Sequence, residues 1–249
     1  MPCYKGDTQI KSIYKGSTEI AKVYKGDVLV YTNNMIIYLG EGQTFDIASV
    51  YPDYANLTND NFFILSASST GNAVKSCAYN APSGTCYIHA RGGLEKKYTA
   101  STGKLICRLY ATSECATVGG DSKVYANTKA VLVTKPNKLV KLTASSNSYN
   151  NPGYNQYILS SETYPDFASY AYNNFLIKNA TDMVQPSAYE NTIQFATHTS
   201  LHKNYSINAN NGVLSAYIQI SENVPLGSAE RSLVYRVEPY LCKEGVVTS

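Results

Sequence analysis

Tryptophan is absent from the 249 residues, histidine and methionine occur three times each, and only 16% of the chain is charged. Each shortage excludes something. Without tryptophan, the flat indole platforms that favour sugar stacking are missing. Charge well below the usual quarter or so would suit a disordered chain only if hydrophobic content were low as well. It is 44%, so most of the chain is expected to fold. The net charge of +3 is small and its basic residues are scattered, which leaves no basic stripe for nucleic acid. No apolar run reaches the length needed to cross a bilayer. "MPCYKGDTQI" lacks a basic start followed by an apolar stretch, so a soluble protein made in a cytoplasm is expected.

The residues that usually carry chemistry are also sparse. Six cysteines (Cys3, Cys77, Cys86, Cys107, Cys115 and Cys242) are too scattered for a disulfide scaffold, and none forms a C-x-x-C pair for zinc. Reduced thiols are the favoured reading, although "SCAYNAPSGTCYI" could fold as a hairpin that brings Cys77 and Cys86 together. "HTSLH" spaces His198 and His202 as two ligands on a helix would be, but its surroundings read as strand and loop. Asp53, Asp60 and Asp166 sit in loops rich in Asn, Tyr and Pro, where aspartate caps turns. "GEGQTF" lacks the Lys-Ser/Thr and helix of a phosphate loop, and no G-x-S-x-G occurs. The expectation is no catalytic residue, no metal and no cofactor. A pair of carboxylates distant in sequence keeps a glycoside hydrolase open as a third-ranked reading.

Tyrosine is plentiful, with 23 copies, as are Ser, Thr and Asn. This points to strands and to surfaces that meet other surfaces. Tyr149, Tyr154, Tyr157, Tyr164, Tyr170 and Tyr172 crowd one region among Asn, Ser and Gly, a mixture typical of paratopes. They are a candidate contact surface, weighed evenly against a role in covering strand faces.

The strongest pattern is at the start. "YKGDTQIKSIYKGSTEIAKVYKGDVLVYTN" writes ten residues nearly three times, with Tyr4, Tyr14 and Tyr24, then Gly6, Gly16 and Gly26, then Ile10, Ile20 and Val30 recurring in step. A glycine in every decade opposes a helix, whereas Lys-Gly-Asp/Ser supplies turns between short strands. A meander of strands is expected over residues 1–33. Such strands bury too little to stand alone, so the segment is expected to dock on something. These nine residues are its candidate anchor.

Beyond it, short strand-like runs separated by turn signals extend to Lys243, without helical periodicity. Residues 34–134 and 139–243 read as two related β-sandwiches in tandem, of Ig-like type, joined at "TKPNK". Set without gaps, Phe45 falls on Val140, Ile47 on Leu142, Tyr54 on Tyr149, Asn56 on Asn151, Phe62 on Tyr157 and Ile64 on Leu159. "TGKLICRLY" resembles "NGVLSAYIQ", and "SSETYPDFASYAYNN" reads as an insertion. The fold class expected is all-β.

"IYKGSTEIAKVYKGDVLVY" resembles a phrase found in virion structural proteins of tailed bacteriophages from gut bacteria, the crAss-like group. The resemblance covers about the first thirty residues. It implies a capsid auxiliary or decoration protein, a head fibre or a tail accessory, assembled in the host cytoplasm and located in the virion. Its partners would be capsid, portal, tail or fibre subunits, in a homo- or hetero-oligomer, with no nucleic acid and no membrane. The alternative is a glycan- or protein-binding adhesin. On the anchor reading, Gly16→Val breaks the middle turn and lowers incorporation into particles while leaving the remaining fold intact. Undiminished incorporation of that variant counts against the anchor.

Overall fold

The computed structural model describes residues 4–5, 8–9, 14–15, 18–19, 22–25, 28–32, 35–68, 73–77, 86–115, 122–143, 146–147, 155–181, 185–189, 193–207, 211–223 and 231–248. Among them there are strands and five single-turn 3-10 helices, and no α-helix. The N-terminal repeats form β1 (Tyr4–Lys5) with β2 (Thr8–Gln9), β3 (Tyr14–Lys15) with β4 (Thr18–Glu19), and β5 (Lys22–Lys25) with β6 (Val28–Thr32). The first half continues with β7 (Ile36–Gly42), β8 (Thr44–Asp46), β9 (Phe62–Ser68), β10 (Ala73–Cys77), β11 (Cys86–Thr99), β12 (Lys104–Cys115) and β13 (Ser122–Val133). After a 3-10 turn at Pro136–Lys138 come β14 (Val140–Lys141), β15 (Ser146–Asn147), β16 (Asn155–Ser160), β17 (Phe175–Thr181) and β18 (Gln185–Tyr189). The last three are β19 (Ile193–Ile207), β20 (Asn211–Asn223) and β21 (Arg231–Leu241).

All strands from β7 onward belong to one antiparallel sheet of fifteen strands, whose main path runs β10-β19-β20-β21-β17-β9-β13-β12-β11-β18. That order is a palindrome under exchange of the halves: β9 matches β17, β10 matches β18, β11 matches β19, β12 matches β20 and β13 matches β21. The centre of the palindrome is the β9–β17 pair, where Ile64 faces Ile177. β13 pairs with β12 over Ser122–Ala126, then passes to β9 and β7 over the rest of its length. β21 divides in the same way between β20 and β17.

The central strands are apolar without alternation, as strands buried on both faces must be. Phe62 and Ile64 enter one buried cluster, Phe63 and Leu65 another. The larger cluster gathers Phe45, Leu105 and Leu109 of the first half with Tyr157, Leu214 and Ile218 of the second, so one core spans both. The smaller cluster packs Phe63, Val131 and Leu176 with Leu139, Cys242 and Val246.

Two sequence expectations are corrected here. The halves correspond at a different offset from the ungapped match proposed above. β8 and β16 both pair with the start of the long hairpin's second strand, placing Phe45 against Leu105 and Tyr157 against Leu214. Phe45 therefore corresponds to Tyr157 and Ile47 to Leu159, while "YPDYANLTNDNFFI" corresponds to "YPDFASYAYNNFLI". The segment read as an insertion is the second copy of the turn that leads into the central strand. The Cys77–Cys86 hairpin does not form either. Cys77 pairs with Ile193 in β19 and Cys86 with Tyr189 in β18, because β10 and β11 diverge to opposite halves. Cys107 and Cys242 are buried free thiols.

Gly103 closes the β11–β12 hairpin at φ +64°, a conformation that side chains oppose. Its carbonyl accepts from Ile47 N at 2.8 Å, and an added Cβ would lie 2.7 Å from Ala48 Cβ. Gly103→Ala is therefore expected to lower unfolding free energy by about 2–4 kcal/mol, combining left-handed strain with overpacking. Chemical denaturation of the two proteins measures it.

Candidate docking surface and buried lysines

The three N-terminal hairpins each close inside one repeat. Tyr4 faces Gln9 and Lys5 faces Thr8; Tyr14 faces Glu19 and Lys15 faces Thr18; Tyr24 faces Leu29 and Lys25 faces Val28. Between each lysine and its partner lie two residues beginning with glycine, the composition of a tight hairpin turn. The expected meander across repeats is thus replaced by three separate two-stranded units. Loop closure over two residues costs less than pairing across a whole repeat. The third hairpin is longest, and Val30 is its extra residue between the Val23–Tyr31 and Tyr24–Leu29 pairs. Gly6, Gly16, Gly26, Ile10 and Ile20 lie outside the described residues. Among the described residues no hairpin strand joins the fifteen-stranded sheet.

The tyrosine cluster divides. Tyr149 and Tyr154 lie outside the described residues. Tyr157 is buried, and its hydroxyl donates to Val237 O at 3.1 Å. Tyr170 is buried edge-on to Phe175, and its hydroxyl has no hydrogen-bond partner among the described residues. Burial, with Asp166 and Tyr164 adding to it, raises the Tyr170 phenol above its ordinary value. These two rings are core, not surface. The reason is their register: Tyr157 occupies the place of Phe45, and Tyr170 that of Leu57. Tyr164 is half-buried against the core, and Tyr172 alone of the described four is exposed.

A duplicated polar device, overlooked in the sequence, stands at the base of each central strand. "LEKKY" and "LHKNY" place Lys96 opposite Cys107 and Lys203 opposite Ala216 in matching registers. Lys96 Nζ donates to Phe62 O at 2.8 Å and to Lys178 O at 3.1 Å. Lys203 Nζ donates to Phe175 O and, at 3.1 Å, to Tyr172 O, and sits 3.8 Å from the centroid of the Tyr172 ring. Desolvation drives the Lys203 amine well below its usual value. It also lowers Lys96 to about 8, although Cys107, Asp60 and Glu238 oppose it. Asn61 and Asn174 are a second repeated pair. Asn61 accepts from Thr58 N and donates to Val133 O; Asn174 accepts from Ala171 N and donates to Cys242 O. Each asparagine ties a 3-10 turn to the end of its half's last strand.

Both lysine amines are spent on backbone carbonyls, and no group of three His, Cys, Asp or Glu that could hold a metal occurs among the described residues. His198 and His202 lie on strand β19, so their spacing is not that of two ligands on one helix face. Among the described residues no helix is long and apolar enough to cross a membrane. No family model, curated protein or solved structure matches the chain.

The Lys96 amine binds fewer protons folded than unfolded between pH 8 and 10.5, so its contribution to stability increases as pH rises through that window. The stability difference between the wild type and Lys96→Met should change by about 1–3 kcal/mol across it, in the wild type's favour. Denaturation at a series of pH values reads this directly, and parallel curves would remove the proton linkage.

Proposed function

We propose that this chain is a non-catalytic structural component of a tailed-phage virion, a capsid auxiliary, decoration or head-fibre protein, fastened by its N-terminal repeats. The supporting observation is the segregation of the three hairpins from the fifteen-stranded sheet. Two-stranded units of this size are marginal alone and become stable by packing or by adding strands to a neighbour. The halves that follow are read as a pair of related Ig-like β-sandwiches displayed on the particle. The Lys96 and Lys203 amines donate to backbone carbonyls and the Cys107 and Cys242 thiols are buried, which favours assembly over chemistry. The resemblance of the Tyr-Lys-Gly phrase to virion proteins points to capsid, portal, tail or fibre subunits as partners. Burial of Tyr157 and Tyr170 thins the surface that an adhesin would use.

Removing residues 1–33 tests the reading. The shortened chain is expected to keep its β-type circular dichroism and to lose co-sedimentation with particles. Equal co-sedimentation by the shortened chain would overturn the fastening role of the repeats.

A further inference from the structure

The route of the chain between the halves has a mechanical meaning that does not depend on the virion reading. β10 leaves the first half and pairs with β19 of the second, from Ala73 opposite Thr197 to Cys77 opposite Ile193. β18 leaves the second half and pairs with β11 of the first, from Cys86 opposite Tyr189 to Ala90 opposite Gln185. Each exchanged strand is held in its own half at both ends, by β9 and β11 on one side and by β17 and β19 on the other. Neither is a terminal arm that could simply peel away.

We propose that this reciprocal exchange is a clasp, which keeps the halves together as one particle even when the peptide link between them is cut. Three further contacts cross the same boundary. Lys96 of the first half donates to Lys178 O of the second. Lys178 Nζ returns an ion pair to Asp60 at 2.8 Å. Gly93 of β11 lies so near the second half that an added Cβ would stand 3.2 Å from Ala180 O. Beneath these, Phe62 and Phe175 belong to one buried cluster. Separation of the halves therefore requires two strands to be drawn out and a common core to be opened. The covalent link contributes little, since Lys135, Asn137 and Lys138 are exposed around a single 3-10 turn.

The test inserts a protease recognition sequence after Asn137 in the full chain, cuts the folded protein, and follows it by size exclusion with light scattering. Both fragments are expected in one species of the intact chain's mass, coming apart only in denaturant. Free individual fragments in native buffer overturn the clasp. So does a species holding two copies of each fragment, which would place the exchange between chains. In a second variant, Val74→Pro with Lys75→Pro, one of two adjacent N–H groups in β10 must face β19 and is lost. Release of the cut fragments at a fixed sub-denaturing urea concentration should be about five- to thirtyfold faster, taking one or two lost ladder bonds at roughly 1 kcal/mol each. An unchanged release rate removes β10 from the mechanism. Should the insertion prevent folding, hydrogen exchange on the wild type decides. β9 and β17 amides are expected to open with the same free energy, and a half that opens first refutes the clasp.

Discussion

Two Phe-[Phe/Leu]-Ile strands lying side by side at the centre of one sheet set the terms for everything around them. β9 and β17 are apolar on both faces, so each face must be covered, and their backbone must be hydrogen-bonded throughout. The long hairpins β11–β12 and β19–β20 contribute to the larger cluster, while Leu139 and the segment after β21 contribute to the smaller one. The 3-10 turns that lead into the central strands are held by Asn61 and Asn174, and the first carbonyls of those strands by Lys96 and Lys203. The same inventory appears twice because the same steric problem is solved twice.

The lysines show how a buried amine is accommodated by the backbone around it. An amine surrounded by carbonyl acceptors and a tyrosine face is supplied with partners, and its cost of burial is offset locally. The two copies are not identical. Lys203 is satisfied within its own half, whereas Lys96 reaches across to β17. The first copy thereby became part of the contact between halves, with Asp60 and Lys178 beside it.

Strand content was legible in the sequence because runs such as "FFILSAS" and "KLICRLYA" carry it locally. What escaped was non-local. The correspondence "YPDYAN"/"YPDFAS" is present in the sequence, but the ungapped match that sets Phe62 on Tyr157 and Ile64 on Leu159 also superposes apolar positions, and only the pairing of β8 with β12 and of β16 with β20 distinguishes the two. Tyr157 and Tyr170 read as surface tyrosines because their sequence neighbours include Asn and Ser, whereas Tyr157 is turned inward by its register on β20 and Tyr170 by its place directly after the 3-10 turn Phe167–Ser169. Lys96 and Lys203 look like ordinary surface cations until the carbonyls of Phe62 and Phe175 are known to lie within reach. Pairing of β10 and β18 with opposite halves leaves no local trace at all.

That crossing of strands also governs how the chain is born. β11 is complete once Thr99 has left the ribosome, but its outer neighbour begins only at Gln185. At ordinary elongation rates this leaves the edge of β11 open for roughly 5–20 seconds. For that interval the nascent first half presents an unpaired strand edge, the kind of surface that chaperones shield and neighbouring nascent chains can capture. Synthesis, rather than the finished molecule, is the stage at which this architecture is most exposed to error.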